Sequence, residues 1–290
     1  MVRLCLALLG AIAATSGLSS TVLAGQPQNW HTGFQPAASP TMERIEDLNV
    51  LLLVIIVAVV VFVMGLLLYV IWRFAEKRNP TPSRTTHNTL LEVLWTTIPV
   101  IILVVIAVPS FKLLYFADSI PPEDAELTIK AIGRQWYWSY EYPDHGNFTF
   151  DANMVPDEDL EPGQPRLLAT DNPIVLPVET NIRILVTASD VLHNFAMPSM
   201  GLKLDAVPGR INETWVRITR EGTFYGQCSE LCGTGHSYMP IEIKAVSKEE
   251  FDRWVVQAQE EFARVDEPVE PAPAGPRAQE LQLAAKTKAE

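Results

Sequence analysis

Basic residues are scarce in this chain. Its 290 residues hold 22 Lys and Arg against 34 Asp and Glu, a formal net charge of −12. A polyanion lacks the clustered cations that phosphate neutralisation requires, so nucleic acid is excluded as a partner. Charge of either sign is thin: 19% of positions are charged, against about 25% in ordinary soluble domains, so an apolar segment must dilute it. Cysteine is rarer still. Three are too few for a disulfide scaffold. No Cys-x-x-Cys-His run is present, so the chain carries no covalently attached haem of the c type. Internal repeats are also absent.

What the chain has is long apolar runs. Residues 1–25 read as a secretory signal: Arg3 gives the positive start, Leu4 to Ala14 the short apolar stretch, and Val22-Leu23-Ala24-Gly25 a small-residue cleavage site. Cleavage there removes Cys5 and leaves Cys228 and Cys232. An exported segment, 26–47, follows. Val50 to Trp72 is an unbroken apolar run of spanning length, and Val93 to Phe111 is a second, carrying Pro99 and Pro109 but no charge. They predict a transmembrane helical hairpin over 48–116. Its loop, 73–88, holds Arg73, Lys77, Arg78 and Arg84 against Glu76 alone, which places it in the cytoplasm. Both outer ends then face away from the cytoplasm. The signal suits bacterial export, so the expected location is the inner membrane, with the C-terminal domain on the periplasmic side.

Glu92 has two readings. Thr89-Leu90-Leu91-Glu92 fits a capping box at the start of the second helix. A carboxylate at a membrane-helix end also suits proton uptake.

From Leu127 the period changes to that of strands. Leu127, Ile129 and Ala131 alternate with polar neighbours, as do Ile241, Ile243 and Ala245; Ile182, Ile184 and Val186 keep the same period of two. Short runs of this kind between Pro, Gly and Asp clusters predict an all-β sandwich or Greek-key barrel over 118–264. Ser247-Lys248-Glu249-Glu250 opens one amphipathic helix with Phe251, Trp254, Val255 and Phe262 on its apolar side. Residues 265–290, rich in Pro and Ala, read as a disordered tail. Between Asp118 and Arg264 there are 24 acidic and 12 basic residues, which puts the negative charge on the exported domain. That imbalance serves solubility, and it suits electrostatic steering of a basic partner.

The segment Cys228-Ser229-Glu230-Leu231-Cys232-Gly233-Thr234-Gly235-His236-Ser237-Tyr238-Met239 places two thiols, an imidazole and a thioether together, and His193 lies upstream. Three readings compete. A Cys228–Cys232 disulfide leaves both His and Met unexplained. Structural zinc on two Cys and two His has no use for Met239. Copper in a cupredoxin barrel uses Cys, His and Met, but a single blue copper needs only one Cys. The extra cysteine points to two copper ions bridged by two thiolates, with one His for each. Met239 and a backbone carbonyl from the loop would then serve as weak axial ligands.

At these residues the chain resembles subunit 2 of haem-copper cytochrome c oxidases, from about Gln35 to Arg264. The aromatic run Gly133-Arg134-Gln135-Trp136-Tyr137-Trp138-Ser139-Tyr140-Glu141 and the preceding hairpin resemble the same family, although Arg134 departs from the His often found there. The resemblance implies a cupredoxin-like Greek-key barrel holding a binuclear copper centre on His193, Cys228, Cys232, His236 and Met239. Glu230 would ligate through its carbonyl and reach, through its carboxylate, a magnesium ion shared with the catalytic subunit. Trp136 is the implied site of electron arrival from cytochrome c. Glu141, Asp171 and Asp190 match acids of the docking surface, and Glu92 matches a carboxylate near the mouth of a proton path. The implied partners are cytochrome c, the haem-bearing subunit 1 and subunit 3. The competing function is a membrane-tethered copper chaperone of thioredoxin-like fold, which would not need Met239 or the upstream His193. A nitrous oxide reductase shares the copper loop but lacks a membrane hairpin.

Overall fold

In the computed structural model, residues 25–119 and 125–262 are described. The expected signal peptide and the Pro/Ala-rich tail fall outside them. Helices α1 (Pro40–Arg73) and α2 (Thr89–Asp118) form the hairpin. At 34 and 30 residues they extend about 51 and 45 Å at 1.5 Å per residue, longer than the roughly 30 Å apolar core of a bilayer. Their central surfaces are uncovered by the rest of the chain. Such faces suit lipid or a neighbouring membrane subunit. Pro99 and Pro109 both lie inside α2.

Helix α1 starts earlier than the apolar run implies. Ser39 caps it, its Oγ accepting from Met42 N at 3.1 Å, and Pro40 occupies the first helical turn, where its missing N–H costs nothing. At α2 the capping box predicted on Thr89 does not form. Asn88 is the cap, accepting from Leu91 N at 3.2 Å, and Thr89 is already helical. The Asn side chain reaches the same orphan N–H groups and takes the position one residue earlier. Glu92 is left exposed in the first turn.

Ten strands follow: β1 (Leu127–Arg134), β2 (Tyr137–Tyr142), β3 (Phe148–Ala152), β4 (Ile174–Pro177), β5 (Asn181–Ala188), β6 (His193–Met197), β7 (Leu202–Ala206), β8 (Asn212–Arg217), β9 (Gly222–Cys228) and β10 (Pro240–Val246), then α3 (Lys248–Glu261). They form two five-stranded sheets, ordered β3-β2-β1-β5-β8 and β4-β10-β9-β6-β7. The pairings β1–β5 and β4–β10 are parallel and the others antiparallel. Strict alternation explains the packing. Leu127, Ile129 and Ala131 are buried opposite Ile182, Ile184 and Val186 in register, and Phe224, Ile241 and Ile243 face them from the second sheet. Ser247 caps α3, accepting from Glu250 N, and the helix buries Phe251, Val255 and Ala258.

The hairpin is fastened to the sandwich at both outer ends. Ser39 Oγ donates to Met200 O at 2.7 Å while it caps α1. Ala38 N donates to Ser199 O, and Thr219 N donates to Ala38 O. At the end of α2, Trp215 Nε1 donates to Phe116 O at 3.3 Å. The Phe116 ring lies between the Trp215 indole and the Arg44 guanidinium, which stands 3.5 Å from its centroid.

Candidate metal centre

Two strand ends and one loop assemble the donors. His193 opens β6 and Cys228 closes β9, and these strands pair antiparallel with Phe195 opposite Cys228. That register carries the His193 ring alongside the first thiol. The loop from Ser229 to Met239 then turns back into β10. His193 Nδ1 lies 3.9 Å from Cys228 Sγ, and Cys228 Sγ lies 3.9 Å from Cys232 Sγ. Around Cys232 stand His236 Nδ1 and Met239 Sδ, each at 3.5 Å. The Glu230 carbonyl lies 3.3 Å from Cys228 Sγ. Each thiol therefore has one imidazole and one weaker donor of its own. The donor atoms of His193, Cys228 and Cys232 all lie within 4.8 Å of one another, and the three residues are buried.

The electrostatics prepare the sulfurs for a cation. Burial opposes ionisation of Cys228, but hydrogen bonds from His193 and from backbone N–H groups bring its thiol down to about 7. Burial and the neighbouring Cys228 charge push Cys232 up to about 12. Without a metal, one thiolate is tolerated and a second is not. Burial also works against charge on His193, yet Cys228 and Asp190 outweigh it and raise its value. Asp190 Oδ1 accepts from His193 Nε2 at 2.9 Å. A carboxylate only accepts, so the proton sits on Nε2 and Nδ1 faces the sulfur. Burial penalises the Asp190 carboxylate, but bonds from His193, Val191 N and Gln135 N prevail and lower its value.

Trp136 sits in the turn between β1 and β2 and covers the loop. Its Nε1 donates to Cys232 O at 3.2 Å, and Gln135 Nε2 donates to the same oxygen at 2.8 Å. The indole is 37% exposed. Two residues on, Trp138 points inward, fully buried, and donates from Nε1 to Met239 O at 3.3 Å. Residues two apart in a strand share a face, so it is the turn that parts the two tryptophans: Trp136 lies in it, outside either strand, while Trp138 lies within β2 and points beneath the site.

Comparison with known proteins places these features. Residues 27–113 match the family described as "Cytochrome C oxidase subunit II, transmembrane domain", and residues 127–246 match "Cytochrome C oxidase subunit II, periplasmic domain". The chain is 55% identical over 237 residues to the "Probable cytochrome c oxidase subunit 2" of Rickettsia bellii (strain RML369-C), covering 82% of this chain and 87% of that protein. The chain belongs to the cytochrome c oxidase subunit II family. The Arabidopsis thaliana "Cytochrome c oxidase subunit 2" is 50% identical over 231 residues, covering 78% of this chain and 88% of that one. The crystal structure of the periplasmic domain of subunit II of cytochrome oxidase of Bradyrhizobium japonicum is 54% identical, with a TM-score of 0.47, and covers 50% of this chain and 100% of that one.

For a member of the subunit II family, the two apolar helices, the cupredoxin-like sandwich and the cluster of soft donors fit together: imidazole and thiolate are ligands that favour copper or zinc over hard cations. Catalysis in the oxidase complex sits in another subunit. The thioredoxin-like chaperone reading is dropped, because the fold is a two-sheet sandwich of the family's periplasmic domain.

The structure brings His193, Cys228, Cys232, His236, Met239 and the Glu230 carbonyl together, with Trp136 against them. Glu230 is exposed. The three acids expected to serve docking each have partners inside the chain: Glu141 pairs with Lys130 at 3.1 Å, and Asp171 accepts from Asn153 N and Asn172 N. Asp190 turns toward His193. Glu92 lies far along the chain on α2, apart from this cluster.

Sequence reasoning missed two contributors. One is Gln135, whose side chain holds Cys232 O. The other is Gly133 on β1, where a Cβ would lie 2.8–2.9 Å from atoms of His193. A glycine inside a strand is itself a sign of close approach, and here the sign was readable.

Proposed function

We propose that the chain takes electrons singly from reduced cytochrome c at a pair of copper ions and passes them to haem in subunit 1, where oxygen is reduced to water and protons are pumped. One observation carries this reading. The two thiols stand 3.9 Å apart, each with its own imidazole, and the Glu230 carbonyl stands by one and Met239 Sδ by the other. A closed site of this composition has no open position for substrate and suits transfer rather than bond-making. A copper pair bound there supplies a one-electron carrier.

The chain's own residues do the rest. Cys228 and Cys232 would hold the ions through their thiolates. His193, fixed by Asp190, and His236 each complete one side. Trp136, exposed on one face and hydrogen-bonded to Cys232 O on the other, links the surface to a ligand's backbone. The acidic domain, with Glu141, Asp171 and Asp190 among its carboxylates, draws in a basic cytochrome c by charge. Glu230 offers its exposed carboxylate to a magnesium ion shared with subunit 1. Glu92, in the first turn of α2 beside the cationic loop, lies at the cytoplasmic face and takes up protons there. The bare helix faces seat subunit 1, with subunit 3 as a further neighbour.

The test is electron paramagnetic resonance of the copper-loaded full chain in detergent. Splitting from one unpaired electron shared over two copper nuclei is expected. A single-copper signal, or a silent sample holding zinc, would overturn the reading.

A further inference from the structure

The loop between Cys232 and His236 carries two glycines that differ in what demands them. Gly233 has φ +118, a backbone that L side chains rarely adopt. Gly235 has φ −88 and ψ 12, a turn conformation open to ordinary residues. Its backbone therefore gives no reason for glycine. The reason is the Trp136 ring. A Cβ on Gly235 would stand 2.8 Å from Trp136 Cβ and nearer still to Cγ and Cδ2. On Gly233 a Cβ would stand 3.1 Å from Trp136 Cζ2 and 3.2 Å from Gln135 Nε2. The indole spans both glycines, with Cγ and Cδ2 over Gly235 and Cζ2 over Gly233, and from this seat its Nε1 donates to Cys232 O at 3.2 Å.

We propose that Gly235 is a positioning residue for electron uptake: its missing side chain seats the Trp136 indole against the metal loop and keeps it bonded to the Cys232 carbonyl. This rests on the reading of Trp136 as the site of electron arrival. A methyl group on Gly235 lifts the ring away from the loop, breaks the Nε1–Cys232 O bond and lengthens the route inward. Apart from its chain neighbours, the three atoms nearest that methyl group all belong to Trp136, so it acts on the indole.

The experiment uses the assembled oxidase carrying Gly235→Ala, Trp136→Ala or both. It measures cytochrome c oxidation in rapid mixing and the copper resonance of each variant. In Gly235→Ala the copper spectrum and the onward step to haem are expected to match the parent, while uptake from cytochrome c slows by up to about 100-fold, the scale of a 1 Å misplacement. In the Trp136→Ala background the added Gly235→Ala is expected to change nothing further, because the clash has lost its partner. Unchanged uptake in Gly235→Ala overturns the proposal, and so does equal slowing in both backgrounds. If Gly235→Ala alone loses copper, the double variant must recover it. Failure to recover places the clash in the loop and overturns the proposal. Normal uptake in Trp136→Ala alone overturns the Trp136 reading itself, an outcome distinct from the others.

Discussion

Asp190 Oδ1 stands 2.9 Å from His193 Nε2, and the same carboxylate accepts from Gln135 N through its other oxygen at 2.7 Å. One side chain thus sets the tautomer of a candidate ligand and ties down the turn that carries Trp136. Asp190→Ala is expected to lower copper affinity by about 10–100-fold, the usual effect of losing a partner that orients a ligating histidine. Competition with a chelator measures it. Asp190→Asn should fall between, since its amide can accept from His193 but turns a second donor toward Gln135 N. Unchanged affinity with salt-dependent slowing of cytochrome c association would assign Asp190 to docking alone.

Met239→Leu should leave the fold intact, because the swap conserves volume and such changes usually cost less than about 1.5 kcal/mol. It removes the thioether 3.5 Å from Cys232 Sγ. The copper pair is expected to remain, with an altered potential and slower onward transfer in a single turnover. Transfer at the parent rate would count against the role of Met239.

Glu242 is buried on β10, accepting from Thr170 N at 2.7 Å and from Thr170 Oγ1 at 3.3 Å. Burial raises its carboxyl value, and the Thr170 and Tyr225 bonds only partly offset this. The folded chain therefore holds that proton more tightly than the unfolded one. The stability it contributes is complete below the ordinary carboxylate range and is lost as pH rises through the raised value. Glu242→Gln, neutral throughout, should match the parent at acid pH and become the more stable of the two toward neutrality. Thermal melts across pH would show it, and divergence toward acid would contradict it.

Ser39→Ala removes two bonds at once, the cap of α1 and the tie to Met200 O. A loss of about 1–2 kcal/mol is expected, read as a lower melting temperature of the full chain in detergent. No change would mean that Ala38 and Thr219 alone hold the junction.

Much of this architecture could be read from residue order. The apolar runs marked both helices, and the period-two pattern marked strands: Leu127–Ala131 and Ile182–Val186 pair in one sheet, and Ile241–Ala245 lies in the other. The loop from Cys228 to Met239 announced its donors by chemistry and spacing. Other features were hidden for a physical reason. Asn88 and Thr89 are both good caps, and only backbone geometry shows which one stands outside the helix. Whether an acid faces solvent or a neighbour depends on contacts across the fold, so Asp190 read as surface charge although it serves His193. Glu242 occupied a polar slot in an alternating strand, where sequence predicts exposure, and the Thr170 segment covers it.

The junction at Ser39 also sets a timetable. Ser39 Oγ bonds the carbonyl of Met200, 161 residues later. At synthesis rates of about 5–20 residues per second, roughly ten to thirty seconds separate the two. The outer end of α1 thus crosses the membrane before its resting place exists. Until the sandwich closes, the segment ahead of α1 must wait outside without its native hydrogen bonds. The hairpin's first end thus depends on a segment made well after it, and a sandwich slow to fold would leave the first helix without that tie.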